Sequence, residues 1–362
     1  MAQVSEITRV VKQAAREAGF ELAGVAGVHD FPELDRFSEW VAAGHAGEMS
    51  YMTARDESGN LRRASLRTAV PWARSVVVCA INYNTAQPYS TEAHGSRQGW
   101  ISRYAWGGQD YHNAVMKRLR AVEAKLRLAC EDEAPNPLHT RCYVDTGPVV
   151  ERVYAKYAGV GWIGKNTCLI NQRTGSWLFL GVIVTSLELT ADLPAPDRCG
   201  TCTRCIEACP TGALIAPYQL DSNRCISYLT IEKRGAITEE LREGMGRHLF
   251  GCDICQDVCP WNRKAPVSSA AEFQPRQGLL NPELEGMARM SEDEFRDKFS
   301  GSAVRRAKRK GLRRNAVIAM GNSGDASFVP VVQRFLDDED ANVAEHARWA
   351  YKKLSQAGES QS

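Results

Sequence analysis

The chain has 362 residues, 44% hydrophobic and 24% charged, proportions of an ordinary globular protein that exclude a disordered or fibrous one. At about 150 residues per domain, the length predicts two or three domains. Lys and Arg number 45 against 43 for Asp and Glu, a net charge of +2, so a nucleic-acid partner has to be read from a local patch rather than from the global balance.

The opening MAQVSEITRVVKQAAREAGF lacks the continuous apolar core of an export signal, and no long apolar run occurs elsewhere, which predicts a cytoplasmic protein with no membrane partner. In this segment Ile7, Val10, Val11, Ala14 and Ala18 recur at helical spacing, with Ser5 able to cap the helix and Gly19 able to end it. RSVVVCAINY at 74–83 is a β-branched run suited to a buried strand. DYHNAVMKRLRAVEAKLRLAC at 110–130 carries Val115, Leu119, Val122, Leu126 and Ala129 on one face and predicts a long helix. RCYVD at 141–145 and SWLFLGVIVTSL at 176–187 predict further strands, and GPVVERVYAKYAG between them predicts a helix with Pro148 in its first turn. Strands alternating with helices make residues 1–190 an α/β domain.

From 191 the texture changes. ADLPAPDR is a Pro-rich linker; a cysteine-dense segment then runs to 265, with a helix expected at TEELREGMGRHL. Residues 266–362 begin with a second linker and end in LRRNAVIAMGNSGDASFVPVVQRFLDDEDANVAEHARWAYKKL, two or three helices joined by GNSGDAS and DDEDAN.

Eight of the twelve cysteines fall in the middle segment. Cys199-x2-Cys202-x2-Cys205-x3-Cys209-Pro210 has the bacterial ferredoxin spacing, in which three thiolates hold one iron–sulfur cluster and the fourth serves its neighbour. Cys252-x2-Cys255-x3-Cys259-Pro260 is the same motif lacking one cysteine, which Cys225 can supply. The cross-over rule then assigns Cys199, Cys202, Cys205 and Cys259 to one 4Fe–4S cluster and Cys209, Cys225, Cys252 and Cys255 to a second. Zinc is the alternative, but paired C-x2-C sites lack the third cysteine and the C-P ending. Cys79, Cys130 and Cys142 read as small buried hydrophobes, and Cys168 is a fourth isolated cysteine.

Gly159-x-Gly161-x-x-Gly164-Lys165-Asn166 satisfies a dinucleotide fingerprint and nearly a P-loop. Both require a strand before and a helix after, whereas here a helix precedes, so the match fails on context. The glycines still allow close backbone approach to a large cofactor, with Lys165 offering a charge.

Taken together, YVDTGPVVERVYAKYAGVGWIGKNTCLIN, CGTCTRCIEACPTGAL, CISYLTIEKRG and GCDICQDVCPWN resemble the epoxyqueuosine reductases, cobalamin-dependent iron–sulfur enzymes of tRNA modification. MSYM near position 50, ISRYAWGGQDYH at 101–112 and the GLRRNAVIAMGNSGD tail extend the likeness over nearly the whole chain. The resemblance implies an α/β (α+β) cobalamin-binding catalytic domain, a ferredoxin-like two-cluster module and an all-α HEAT-like C-terminal domain. It implies reduction of epoxyqueuosine to queuosine at the tRNA wobble position, with electrons entering from an external low-potential donor. Asp145 ends the predicted strand RCYVD and matches the family's proton donor, the alternative being an N-cap for the helix near Pro148.

Arg62, Asp145, Lys165, Asn166, Leu169, Ser227 and Asp253 are the implied corrin contacts, with Arg63 and Arg67 near Arg62. Asp110-x-His112 lacks the final glycine of the D-x-H-x-x-G motif, in keeping with a family that binds cobalamin without a histidine ligand; His112 alone reads as a surface or satisfied histidine. Arg305, Arg306, Lys308, Arg309, Lys310, Arg313 and Arg314 put seven positive charges into ten residues, a candidate tRNA-phosphate patch or else a solvated helix face. A single repeat cannot bury its own apolar face, so the tail is expected to pack on the rest of a monomeric protein. The rival readings are a reductive dehalogenase-like cobalamin enzyme and a soluble ferredoxin-type electron carrier.

Overall fold

The computed structural model describes residues 2–92, 95–130 and 138–359. Ten strands are present among them: β1 (Leu22–Gly27), β2 (Ser75–Asn82), β3 (Trp100–Ile101), β4 (Thr140–Tyr143), β5 (Trp162–Ile163), β6 (Leu169–Ile170), β7 (Leu178–Thr185), β8 (Leu214–Ala216), β9 (Gln219–Leu220) and β10 (His248–Phe250). The main sheet has the order β1-β2-β7-β4, and every pairing in it is antiparallel.

All eight residues of β2 are buried, so its alternate side chains feed two layers. On one face Val77, Cys79 and Ile81 meet Ile7 and Val11 of the helix Ala2–Glu17 and Val115, Leu119 and Val122 of the helix Tyr111–Leu128. On the other, Val76, Val78 and Ala80 meet Val153, Tyr154 and Ala158 around the helix Glu151–Tyr157. Asp110 caps Tyr111–Leu128 by accepting the His112 N–H, and Gly19, at φ +84°, ends the first helix as its position in the sequence predicts.

Several expectations change. The sheet is antiparallel, so the first segment is α+β, and the rule placing sites at the carboxyl ends of parallel strands does not apply to it. β1 carries no β-branched run and escapes sequence reading; Gly24 fits there because a Cβ would lie 1.9 Å from the carbonyl oxygen of Ala158. The helix after Pro148 begins only at Glu151, with Val150 as an N-cap that offers no side-chain bond, so Asp145 is not its cap. TEELREGMGRHL also shortens to the helix Glu239–Arg242, after which Gly246 at φ +52° turns the chain into β10.

β10 pairs in parallel with β3, and both belong to one core with the tail. Ile101, Trp106, Leu249 and Phe250 pack against Leu312, Val317, Phe328, Val332 and Ala347, and this contact buries the apolar face of the tail helices Lys308–Asn322, Val329–Gln333 and Ala341–Glu359. No helix among the described residues is long and apolar enough to cross a membrane.

Candidate active site

Beyond β4 the chain bends, and Asp145 adopts φ +58°, a left-handed conformation that aspartate tolerates better than most residues. Its backbone N–H donates to Glu151 Oε1 at 3.0 Å, and its carbonyl accepts from Arg63 Nη2 at 3.4 Å. The carboxylate is half-exposed at 52%. Oδ2 takes every contact made to it among the described residues: the Tyr111 hydroxyl at 3.3 Å, Arg306 Nη1 at 3.8 Å and His112 Nε2 at 4.0 Å. Oδ1 is left open.

The surrounding side chains are held in turn. Tyr111 stacks flat on Phe179, with centroids 4.4 Å apart, and on His112, whose Nδ1 lies 2.7 Å from Asp110 Oδ1. Arg306 pairs with Glu232 at 2.5 Å, donates to the Tyr51 hydroxyl at 2.9 Å and lies over the Tyr51 ring, with Arg63 reaching the same ring. Burial pushes the Tyr51 phenol up to about 12. Burial also pushes Glu151 up to about 7, and the Asp145 charge adds to the rise. For Asp110, burial works upward, but the hydrogen bonds from His112 prevail and hold its carboxyl below the usual range.

The eight clustered thiols are all unpaired, and they sort into two groups by which sulfurs act on one another. Burial raises Cys205 to about 11, with Cys199 and Cys259 adding to it; Cys259 is raised by burial and by Cys199 and Cys202. In the other group Cys209 acts on half-buried Cys225, Cys225 acts on Cys252, and both Cys225 and Cys252 act on Cys255. Thiol donors gathered in this way suit four-iron clusters. No three His, Cys, Asp or Glu side chains close around a single-ion site among the described residues, so the fit to four-iron clusters rests on this donor chemistry and grouping.

Sequence reasoning missed Cys168, which hydrogen-bonds Cys255 and also acts on Cys225 and Cys259, between the two groups; no spacing motif marks it. Glu151, Tyr51, Tyr111 and Glu232 were likewise unmarked, because residues from distant segments meet only on folding.

The predicted corrin contacts divide. Lys165 Nζ donates to the carbonyls of Gly200 at 2.6 Å and Cys202 at 3.0 Å, and Asn166 Nδ2 to that of Cys255 at 3.2 Å, so both fasten the β5–β6 hairpin to the cysteine segment. Asp253 is buried and accepts the Arg103 N–H at 2.6 Å and the Ser102 hydroxyl. Leu169 is buried with Val153 and Val160 in the core behind the sheet, and Ser227 is half-buried two residues beyond Cys225. Arg62 is exposed, and its neighbour Arg63 is the one that reaches Asp145.

The basic run is corrected more sharply. Arg313 and Arg314 are interior: Arg313 forks onto Asp338 and the Ala288 carbonyl, and Arg314 donates to the carbonyls of Leu229, Lys233 and Gly235. The helix is buried on all sides from Leu312 to Gly321, which encloses these two, while Arg305, Lys308 and Lys310 before that stretch stay exposed, Lys310 pairing with Asp340. Arg309 pairs with Glu292 and Glu339, and Arg306 belongs to the Asp145 cluster. A cavity of about 510 Å³ lined by Ile237, Thr238, Arg242, Glu345, Arg348 and Trp349 lies apart from the Asp145 cluster.

Residues 198–262 match the 4Fe–4S double cluster binding domain, and residues 63–146 match the epoxyqueuosine reductase QueG family model, DUF1730. An epoxyqueuosine reductase of Synechocystis sp. is 45% identical over 298 residues, 82% of this chain and 98% of the relative. That of Escherichia coli is 34% identical over 348 residues, 96% of this chain and 89% of the relative. Among solved structures, an epoxyqueuosine reductase bound to an epoxyqueuosine-modified tRNA-Tyr stem loop superposes with TM-score 0.86 at 29% identity, covering 97% of this chain and 91% of that one. The Bacillus subtilis enzyme, captured with its aspartate-bearing catalytic loop swung out of the active site, gives TM-score 0.84 at 29% identity over the same shares. The chain belongs to the epoxyqueuosine reductase family.

Proposed function

We propose that this chain reduces epoxyqueuosine to queuosine in tRNA, with Asp145 as the proton donor. The observation that carries the reading is the Asp145 carboxylate, whose Oδ1 has no hydrogen-bond partner among the described residues, linked through Arg306 to Glu232 in the segment that bears the two sets of four thiols. Removing the epoxide oxygen breaks two C–O bonds, forms a C=C bond, consumes two electrons and two protons, and releases water.

The two clusters and cobalamin, when bound, supply low-potential single electrons and a cobalt centre able to pass them to carbon. Cys199, Cys202, Cys205 and Cys259 would hold one cluster, and Cys209, Cys225, Cys252 and Cys255 the other. The half-exposed carboxylate of Asp145, flanked by Arg63 and Tyr111, with Ser227 beside the cysteines, fits a corrin, whose rim carries amides that need hydrogen-bond partners.

The protein's own part is to deliver and place a proton. Tyr111 and Arg306 occupy Oδ2 of Asp145, so Oδ1 carries the proton toward the oxygen of the opening ring. Arg306 in turn steadies the opening alkoxide electrostatically, since it stays charged beside Glu232 and Tyr51. The exposed Arg305, Lys308 and Lys310 are suited to the phosphates of the anticodon stem, flanking Arg306. The enzyme then works as a cytoplasmic monomer fed by an external low-potential donor.

The test is conversion of an epoxyqueuosine-containing anticodon stem loop by anaerobically reconstituted protein, followed by nucleoside mass spectrometry. Loss of one oxygen atom from the modified base supports the reading; unchanged epoxyqueuosine with full cluster and cobalamin content sinks it.

A further inference from the structure

Asp145 is held by two kinds of contact, and they differ in strength. Every contact to its carboxylate is long, from 3.3 to 4.0 Å, and the carboxylate is half-exposed. The bond from its backbone N–H to Glu151 Oε1, at 3.0 Å, has the length of an ordinary strong hydrogen bond. Glu151 is a buried side chain at the first turn of Glu151–Tyr157, and that helix is packed through Val153, Tyr154 and Ala155 against the sheet. It therefore offers a fixed acceptor to Asp145, which is exposed between the buried Val144 and Val149. Asp145 also sits at φ +58°, a left-handed conformation that costs energy even where aspartate tolerates it, and the bond to its N–H helps to secure it.

We propose that Glu151 is a positioning residue, the latch that holds the Asp145 loop in its inward, proton-donating state by accepting the Asp145 backbone N–H. The inference rests on the reading of Asp145 as proton donor. A Bacillus subtilis relative has been captured with its aspartate-bearing catalytic loop swung out of the active site, so a loop of this kind has a second position in that protein. In this chain the tie is one hydrogen bond to one side chain. Arg63 assists from the opposite side by donating to the Asp145 carbonyl, but at 3.4 Å it is the weaker hold.

Two variants separate latch from filler in the reconstituted holoenzyme. Glu151→Leu fills the buried space without an acceptor, whereas Glu151→Gln keeps a carbonyl oxygen in the same place. Hydrogen–deuterium exchange of peptides covering 143–149 reads the latch directly, and kcat and KM for epoxyqueuosine stem loop read its consequence. Glu151→Leu is expected to lose protection at the Asp145 amide and to drop kcat about a hundredfold with KM unchanged, as misplacement of a reacting group does. Glu151→Gln is expected to restore both. Protection retained in Glu151→Leu, or lost in a folded Glu151→Gln with intact cluster absorbance, overturns the proposal; should the leucine variant fail to fold, the glutamine variant alone decides. If the wild type itself does not convert the substrate, the proposed function fails while the exchange result still reports on the latch.

Discussion

Arg306 Nη1 lies 3.8 Å from Asp145 Oδ2, which brings a residue of the basic tail to the proposed proton donor more than 150 positions earlier in the chain. The same guanidinium spans Glu232 and Tyr51, a task that its planar fork performs and a single ammonium cannot. Arg306→Gln is therefore expected to lower kcat by about tenfold or more, and Arg306→Lys to recover little of it. Steady-state kinetics on the modified stem loop check this; full recovery in the lysine variant would mean that only the charge matters.

Glu151 gives the fold a pH dependence whose sign is fixed. Its carboxyl is pushed by burial, and then by the Asp145 charge, up to about 7 against an ordinary 4.5, so the folded protein binds a proton more tightly than the unfolded chain. Stability from this group is full below about 4.5 and falls as pH rises to about 7, by on the order of 3 kcal/mol for a group this deeply buried. Glu151→Gln removes the titration. Thermal unfolding of the variant is expected to exceed that of wild type at pH 8 and to converge with it at pH 5.

The assignment of Cys259 to the first set of thiols predicts which cluster each substitution removes. Cys259→Ser is expected to disturb the cluster held by Cys199, Cys202 and Cys205 and to spare the other, with iron content falling by about half if that cluster is lost. Cys252→Ser should do the converse. Cys168→Ser, although it touches Cys255, should keep both clusters, since Cys168 is a neighbour rather than a ligand. Iron analysis and EPR of the reduced proteins distinguish these outcomes.

The basic run divides into surface and interior. Neutralising Arg305 and Lys308 together is expected to flatten the salt dependence of stem-loop binding by about one to two phosphate contacts without changing thermal stability. Arg314→Met should instead destabilise the fold by roughly 3 kcal/mol, because the carbonyls of Leu229, Lys233 and Gly235 lose their donor. Binding titrations across salt and denaturant unfolding separate the two roles.

Much of this was legible in the chain itself, for reasons that particular residues make plain. Cysteine spacing encodes cluster ligation because the ligands lie close in sequence, and β2 and the helix Tyr111–Leu128 announce themselves through local periodicity. β1 does not, because Gly24 was selected by the backbone of Ala158 rather than by strand propensity. The inward turn of Arg313 and Arg314 was hidden for a related reason: a run of like charges carries no sign of which members find carbonyls. The bonds of Lys165 and Asn166 to main-chain oxygens of the cysteine segment carry no signal in the sequence, because their partners lie 35 and 89 positions away. The position of Asp145 after a strand is legible in the sequence, but the side chains around it, Glu151, Tyr111 and Arg306, come from three separate elements that only the folded chain assembles.

The most direct measurement is single-turnover formation of queuosine by the wild type and by Asp145→Asn, both loaded to the same cluster and cobalamin content and both saturated with modified stem loop. The account predicts that the asparagine variant binds the stem loop with unchanged affinity and forms queuosine at least about a hundredfold more slowly. An asparagine variant as fast as the wild type would contradict it.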